Sequence, residues 1–465
     1  MNGPIRKRKP LTVRPLKSSP TVGAVLAFQG MAGAMPILHG SQGCSAFTKV
    51  MFVRHFREPI AIQTTAMDQT STVMGGDDNL IEALDTVAAK HHPALIGVVS
   101  TGLTALPGSD LNRAIKQFRA DYPQWRQIPV IPVQAPDFAG SMSDGHAAAV
   151  MAMIDQLVEA RPWQADQTLP MVNVLASSTL TPGDLEEIAE LLEALGLQAV
   201  FLPDLAASLD GHLADGSHGA LTSGGTPLTF FNMLHRARAT LVIGHPLFPA
   251  AELLQSRCPM PVLRFDHLMG LDACDRLVSE LIPFCDGWGM ARIERWRRQL
   301  LDAMLDTHFY LGLKRVALAG EAELLLGFRQ LLAEMGAVSV ACVVPEWPRD
   351  GQMTADESWM VGDLDDLERL AGERAAQLLI GGSPLEESAR RLKIPLHRAG
   401  YPIFDRLGEF RRVRVGYRGA RDTLFELANL LLAHQPHGIP PSLTGPRRSE
   451  LDKGASNDDG TLQYP

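Results

Sequence analysis

Cysteine is scarce in this chain of 465 residues: there are 5, no two of them spaced as Cys-x-x-Cys. So few thiols over such a length exclude the disulfide framework that staples small secreted domains, and a reducing compartment, the cytoplasm, is expected. Long apolar runs are missing as well. Stretches such as 94–99 are strand-sized and fall far short of the roughly 20 residues that cross a bilayer. Nor is there a surplus of positive charge. With 43 Lys and Arg against 52 Asp and Glu the formal net charge is −9, which removes the clustered cationic face that nucleic-acid backbones require. The first strand candidate of no block is followed by Gly-x-Gly-x-x-Gly, and no Gly-x-x-x-x-Gly-Lys-Ser/Thr occurs, so direct nucleotide binding has no support.

What is present is the composition of a soluble globular protein, 46% hydrophobic and 20% charged, with 41 Gly and 32 Pro. A prior of roughly 150 residues per domain suggests three. Short β-branched runs alternate three times with amphipathic helical segments, the pattern of parallel sheets covered by crossover helices. The expected fold is therefore α/β, with three Rossmann-like domains and mostly parallel sheets. The segment Arg6-Lys7-Arg8-Lys9 reads as part of a basic disordered tail, 1–18. The first domain, 19–165, has strand candidates at 23–28, 59–64, 94–100 and 129–134, with a helix behind Gly75-Gly76-Asp77. The second, 166–290, opens with a strand over 171–176. Thr181-Pro182-Gly183-Asp184 then starts a helix, with a hydroxyl at the N-cap, Pro at the first helical position and an acid at the third. Further strands are expected at 199–202, 240–244 and 261–265. A charged helix over 293–305 leads through the third domain, 291–435, with strands at 315–319, 338–344, 377–380 and 394–397 and a helix over 322–335. From 436 to 465, Pro and Gly among polar residues predict a disordered tail.

Such a fold assigns no chemistry by itself, so a site has to come from side chains. The most informative stretch is His39-Gly40-Ser41-Gln42-Gly43-Cys44, followed by a helical run with Phe47, Val50, Met51 and Val53 apolar. Cys44 falls at a glycine-rich turn entering a helix, where free amides and the helix dipole stabilise a thiolate or the sulfur of a metal cluster. Gly40 and Gly43 let the backbone approach a bulky inorganic group. The bland alternative is an inert small hydrophobe in a packed turn. A cubane cluster takes about four thiolates. If Cys44 binds iron, the other ligands come from another polypeptide or from cysteines far off in sequence. Cys258, Cys274 and Cys285 read as buried structural residues, and Cys342 as strand core. His39 and His55 flank the Cys44 helix, where packing is the simpler account, and His91 and His92 sit at a helix end. The loop at Gly224-Gly225 is explained as well by turn geometry as by a ligand. Ser177 and Ser178 have no base nearby in sequence, so hydrolase chemistry is unsupported.

The stretch from His39 to Gly76 (HGSQGCSAFTKVMFVRHFREPIAIQTTAMDQTSTVMGG) resembles the cluster-binding first domain of the nitrogenase component-1-like proteins. Tyr401-Pro402-Ile403-Phe404-Asp405-Arg406-Leu407-Gly408 is similar to a third-domain signature of that family, and the likeness covers nearly the whole chain. In the family's catalytic β subunit a second cluster cysteine follows a strand. The matching stretch here is Ser100-Thr101-Gly102-Leu103, leading to Gly108-Ser109-Asp110-Leu111, with glycine in the cysteine's place. The resemblance implies a β-type subunit of a non-enzymatic scaffold on which the FeMo-cofactor precursor acquires molybdenum and homocitrate. It implies a [4Fe–4S] cluster with Cys44 as the one metal ligand from this chain, Gly43 and Gly102 beside it, and three ligands from a NifE-like α-type subunit. The assembly would be α2β2, with the precursor bound mainly on the partner. The nitrogenase reductase component and a cluster donor protein would dock transiently. Alternatives are a catalytic β subunit of a nitrogenase or a related tetrapyrrole reductase, or a cluster-free structural partner.

Overall fold

The computed structural model describes residues 5–6, 15–105, 110–213, 219–285, 289–348 and 356–434. The tail expected over 436–465 lies outside the described residues, as do Lys7, Arg8, Lys9, Gly108 and Ser109. Within 1–18, Ile5–Arg6 forms a short strand, β1. Leu16 packs against a core of the third block, and Lys17 reaches Glu346 at 3.9 Å.

Three parallel sheets make the α/β fold. After β1 come α1 (Pro20–Gln29), β2 (Ala34–His39), α2 (Gln42–Phe56), β3 (Gln63–Thr64), α3 (Asp77–His91), β4 (Leu95–Ser100), the short α4 (Gly102–Ala105), β5 (Val130–Val133) and α5 (Met142–Leu157). Their sheet is ordered β3-β2-β4-β5. The second block holds β6 (Met171–Ala176), α6 (Pro182–Ala194), β7 (Gln198–Leu202), β8 (Ala239–Ile243) and β9 (Val262–Phe265), ordered β7-β6-β8-β9. The long helix α7 (Met290–Leu311) leads to β10 (Arg315–Ala319), α8 (Ala322–Glu334), β11 (Val338–Val344), β12 (Trp359–Val361), β13 (Leu378–Gly381) and β14 (Leu396–Arg398). That sheet runs β1-β12-β11-β10-β13-β14. No helix among the described residues is long and apolar enough to cross a membrane.

Local chemistry sets several of these starts. The Thr181 hydroxyl accepts from the Asp184 amide while the Asp184 carboxylate accepts from the Thr181 amide, and Pro182 occupies the first turn of α6. Two expectations fail in the first block. The run 23–28, read above as a strand, is the interior of α1, which begins behind Ser19 and Pro20 and is buried on every side. A helix with no solvent face shows no helical period, so a short apolar run cannot be told from a strand. Its place is fixed by close contact with α5: a Cβ on Gly23 would lie 1.8 Å from the Met142 carbonyl oxygen, and one on Gly145 would lie 1.8 Å from that of Pro20.

The strand at the middle of the sheet is instead β2, unpredicted because Pro36 stands inside it. The Leu38 carbonyl accepts from Thr65 on the β3 side, so Pro36, two residues earlier, faces that side too. There β3 starts only opposite Ile37, and the absent N–H leaves no partner unsatisfied. Strand alternation then sends Leu38 into a core shared by all three blocks, and Met35 and Ile37 into a separate outer core. The strand expected over 59–64 shrinks to its last two residues, Gln63–Thr64.

Candidate functional site

Where the strand order of a parallel sheet reverses, the loops leaving the carboxyl ends of two neighbouring strands diverge and open a crevice. In the first sheet those strands are β2 and β4, paired with His39 opposite Ser100. The two loops are tied together. The hydroxyls of Thr101 and Thr104 donate to the His39 carbonyl at 2.9 and 3.2 Å, and the Gly40 amide donates to Thr65 at 3.0 Å. A Cβ on Gly40 would sit 2.6 Å from the Thr101 hydroxyl oxygen, so only glycine lets the loops lie this close. Cys44 and Gly102 therefore leave the same end of adjacent strands, although 58 positions separate their numbers.

Cys44 stands in the first turn of α2. The N-cap Ser41 makes no side-chain bond to the first-turn amides; its hydroxyl lies 3.5 Å from Cys44 Sγ instead. The positive end of the helix is thus left uncapped beside a half-buried thiol. Gly43 is exposed, and a Cβ there would meet only Ser41 Oγ at 3.9 Å. At Gly102 a Cβ would lie 3.6 Å from Asp137 Oδ2 and 4.0 Å from Phe138, ordinary contacts in an unstrained backbone. A half-buried thiol beside the free first-turn amides of a helix is chemically suited to one corner of an iron–sulfur group. They do not make a full ligand set, since no group of three or more His, Cys, Asp or Glu among the described residues is placed to hold a metal ion.

The two sides of α2 differ sharply. Thr48, Phe52, His55 and Phe56 are buried, whereas Phe47 is 67% and Val50 54% exposed, with Val53 beside them on the same face. Phe138, next to Gly102, is also exposed. Behind the helix, the far end is clamped by the 401–408 signature. His55 Nδ1 accepts from the Ile403 amide at 3.0 Å, Arg54 lies over the Phe404 ring at 4.3 Å, Arg57 donates to the Phe404 carbonyl at 3.3 Å, and Tyr401 packs against Phe52 and His55. The two stretches that carry the family resemblance thus meet in space.

Both flanking histidines are structural. Burial pushes His39 and His55 down to about 4, so each is neutral and acts as a hydrogen-bonding partner, His39 with Thr65 at 3.1 Å. All five cysteines are free. Cys258, Cys274 and Cys342 are buried as expected, and burial raises all three thiols. Cys285 departs from its reading: it is half-exposed just after α7's preceding turn, its thiol 3.3 Å from the Ile282 carbonyl. His92 caps α3 in the left-handed conformation, a common way to end a helix. The Gly224-Gly225 loop packs on backbone: a Cβ on Gly224 would lie 1.7 Å from the Ala207 carbonyl, and one on Gly225 2.7 Å from that of Gly30.

Sequence reasoning missed a second polar centre. The order of the second sheet reverses between β6 and β8 and that of the third between β10 and β13, and the loops leaving β6, β10, β13 and β14 surround a cavity of about 50 Å³. Beside it, Ser141 donates to Glu321 at 2.6 Å and Ser143 to Glu323 at 3.0 Å, while Ser177 also donates to Glu323. Ser177 thus has a carboxylate partner after all, one brought from 146 positions away. Burial raises both glutamates to about 7. No signal in the sequence marks this meeting, because Glu321 and Glu323 read as ordinary first-turn acids of a helix.

The sequence profile of the family described as nitrogenase component 1 type oxidoreductase matches residues 19–432. Among curated proteins, the chain is 42% identical over 97% of its length to the nitrogenase iron-molybdenum cofactor biosynthesis protein NifN of Klebsiella pneumoniae, covering 98% of that protein. It is 41% identical over 93% of its length to the NifN of Bradyrhizobium diazoefficiens, covering 92% of it. Among solved structures, nitrogenase Cp1 at pH 6.5 superposes with a TM-score of 0.86 at 28% identity, over 96% of this chain and 98% of that one.

Proposed function

Because the chain belongs to the nitrogenase component 1 type oxidoreductase family, we propose that it is the β-type subunit of a scaffold on which the FeMo-cofactor precursor is matured, with Cys44 as its single ligand to a [4Fe–4S] cluster shared with a NifE-like α-type subunit. The names of its relatives support the biosynthetic role, since the proteins about two-fifths identical over nearly full length are cofactor biosynthesis proteins. The single observation that carries the cluster reading is the half-buried thiol of Cys44 on an uncapped helix turn, at the strand-order reversal and beside an outward apolar face. A lone thiolate in such a place makes sense when a second protein covers it and supplies the remaining ligands. When bound, the cluster would supply one-electron redox capacity at the interface. This chain would contribute the Cys44 sulfur, the first-turn amides and the room at Gly43. Glycine at 102 leaves no second thiolate at the neighbouring loop, which favours a scaffold over a catalytic β subunit.

Two surfaces support an α2β2 assembly in which the precursor sits mainly on the partner. The first is the outward face of α2, with Phe47 and Val50, flanked by Phe138. The second is a stripe on α7 and the turn after it, Leu305, Phe309 and Leu313, the last two at least 80% exposed. Transient docking of the reductase component and a cluster donor belongs to the same proposal.

The test is anaerobic purification of the complex with its α-type subunit, wild type and Cys44→Ala, followed by iron counting and the reduced-cluster EPR signal. Loss of the signal with an intact complex is expected, and unchanged iron and signal would overturn the assignment. The isolated subunit should carry essentially no cluster; a complete one on this chain alone would contradict the shared placement.

A further inference from the structure

The carboxyls of Glu321 and Glu323 stand where all three blocks meet, and nothing in the proposed cluster chemistry uses them. They occupy the N-cap and first turn of α8 in the third block. Ser141 and Ser143 reach them from the start of α5 in the first block, Ser177 from the end of β6 in the second, and Ser178 in turn lies 3.2 Å from Ser143. Ser141, Ser143, Ser177 and Glu323 are all buried, and Glu323 Oε2 has no hydrogen-bond partner. Other polar contacts nearby join the blocks in pairs, such as the Thr181 hydroxyl to the Arg412 carbonyl and the Ile403 amide to His55, whereas this cluster brings side chains of all three blocks together.

The surroundings are short of positive charge. From α5 come Asp144, whose carboxylate is taken up by the Ser141 amide at 2.7 Å, and His146, which faces the Ala176 carbonyl at 3.0 Å. From the second block come Asp184, His245, Asp266 and His267, which line the small cavity behind Glu323 or the loop beside it. Arg414 is the one cation lining that cavity, and it is bound to Glu409 at 2.5 Å while its amide donates to Asp184. No ion pair reaches Glu321, Glu323 or Asp144 among the described residues. Two ionised glutamates here would be like charges in a low-dielectric place with only hydroxyls and a helix end to hold them.

We propose that Glu321 and Glu323 form a proton-operated latch across the three-block junction: with a proton on the pair the serine hydroxyls tie all three blocks together, and loss of that proton leaves an unbalanced buried charge that loosens the junction and opens the cavity beneath it. Burial, the largest influence on each carboxyl, raises both to about 7, which places the transition in the neutral range. His146 and His267, held at about 4 by burial, stay neutral in the folded chain through that range, and the protons they take up on unfolding are common to wild type and variants and cancel between them.

The experiment uses the full-length chain, alone and in complex with its α-type subunit. Thermal midpoint and radius of gyration by X-ray scattering are followed from about pH 6 to about pH 8.5 for wild type, Glu323→Gln and the double variant Glu321→Gln/Glu323→Gln. Relative to the variants, wild type should lose thermal stability as pH rises to about 7 and level off above it, and it should expand over the same transition. The glutamine variants keep the shape and hydrogen-bonding capacity without an ionisable proton, so their radius should stay constant and their midpoint should lack the fall with rising pH that the glutamates impose on wild type. A wild type whose radius stays constant, or whose midpoint runs parallel to that of the variants at every pH, overturns the latch. Should the variants fail to fold, the infrared spectrum of wild type decides: a protonated carboxylic C=O band must vanish over the same pH range as the expansion, and its absence at the acid end overturns the proposal.

Discussion

The Cys44 edge and the Glu321–Glu323 junction invert the usual arrangement in opposite ways. At the first, large apolar side chains face outward; at the second, acidic side chains face inward. Exposed Phe47 and Val50 gain nothing from the chain's own fold, so their presence is explained by something outside it. Buried Glu323 and half-buried Glu321 are held by groups of the same polypeptide, so their presence is explained by the fold itself. On the reading proposed above, one region faces a partner and the other governs the relation of the blocks to each other, and substitutions should separate the two.

The sharpest contrast lies within α2. Phe52→Ala removes a fully buried ring and should cost the isolated chain about 3–5 kcal/mol by denaturant unfolding, whereas Phe47→Ala should change it by less than about 0.5 kcal/mol. Equal losses would mean the outward face is not free in the isolated chain. Next in size, Phe47→Asp with Val50→Asp should leave that stability alone but weaken association with the α-type subunit about 100-fold, near 3 kcal/mol, in a titration by analytical ultracentrifugation. An unchanged affinity would detach the apolar face from the partner.

Acid should act on the fold and not on the outward face. His39, His55, His146 and His267 are each held at about 4, below their ordinary 6.5. The unfolded chain therefore takes up protons that the folded chain refuses. Their contribution to stability should fall as pH drops from about 6.5 toward 4, by up to about 1.4 kcal/mol per pH unit for each histidine, opposed by Glu321 and Glu323, which keep protons when folded that the unfolded chain has released. His55→Asn, whose amide oxygen can still accept from Ile403, should reduce that slope by about one proton in urea titrations at several pH values. The smallest effect is expected from Gly102→Cys. Its contacts are ordinary, so stability should shift by less than about 0.5 kcal/mol, and the new thiol should react with iodoacetamide in the isolated chain but be protected in the complex.

Much of the architecture could be read from local chemistry. The strands Met171–Ala176, Arg315–Ala319 and Val338–Val344 fall where β-branched runs predict them, and α6 starts at the Thr181-Pro182-Gly183-Asp184 signal, because caps and strand runs act over a few residues. The first block resisted where burial erased periodicity, at α1, and where a rule about proline was overridden by the edge of a neighbouring strand, at Pro36. The placement of Cys44 at a helix start was legible for the same local reason as α6. Which side of α2 points outward was not, since Phe47 and Val50 are as apolar as Phe52 and Phe56 and only the tertiary arrangement distinguishes them. The junction of Ser177 with Glu323 is wholly a product of long-range folding.

The clamp on the far end of α2 makes the helix a tiller. Cys44 rides at one tip, and His55, Arg54 and Arg57 fasten the other to the 401–408 segment of the third block. A helix of 15 residues is about 22 Å long, so a tilt of about 3° imposed at the clamped end would swing the thiol sideways by about 1 Å. Small displacements of the third block are thereby delivered, without any change in the helix itself, to the Cys44 thiol.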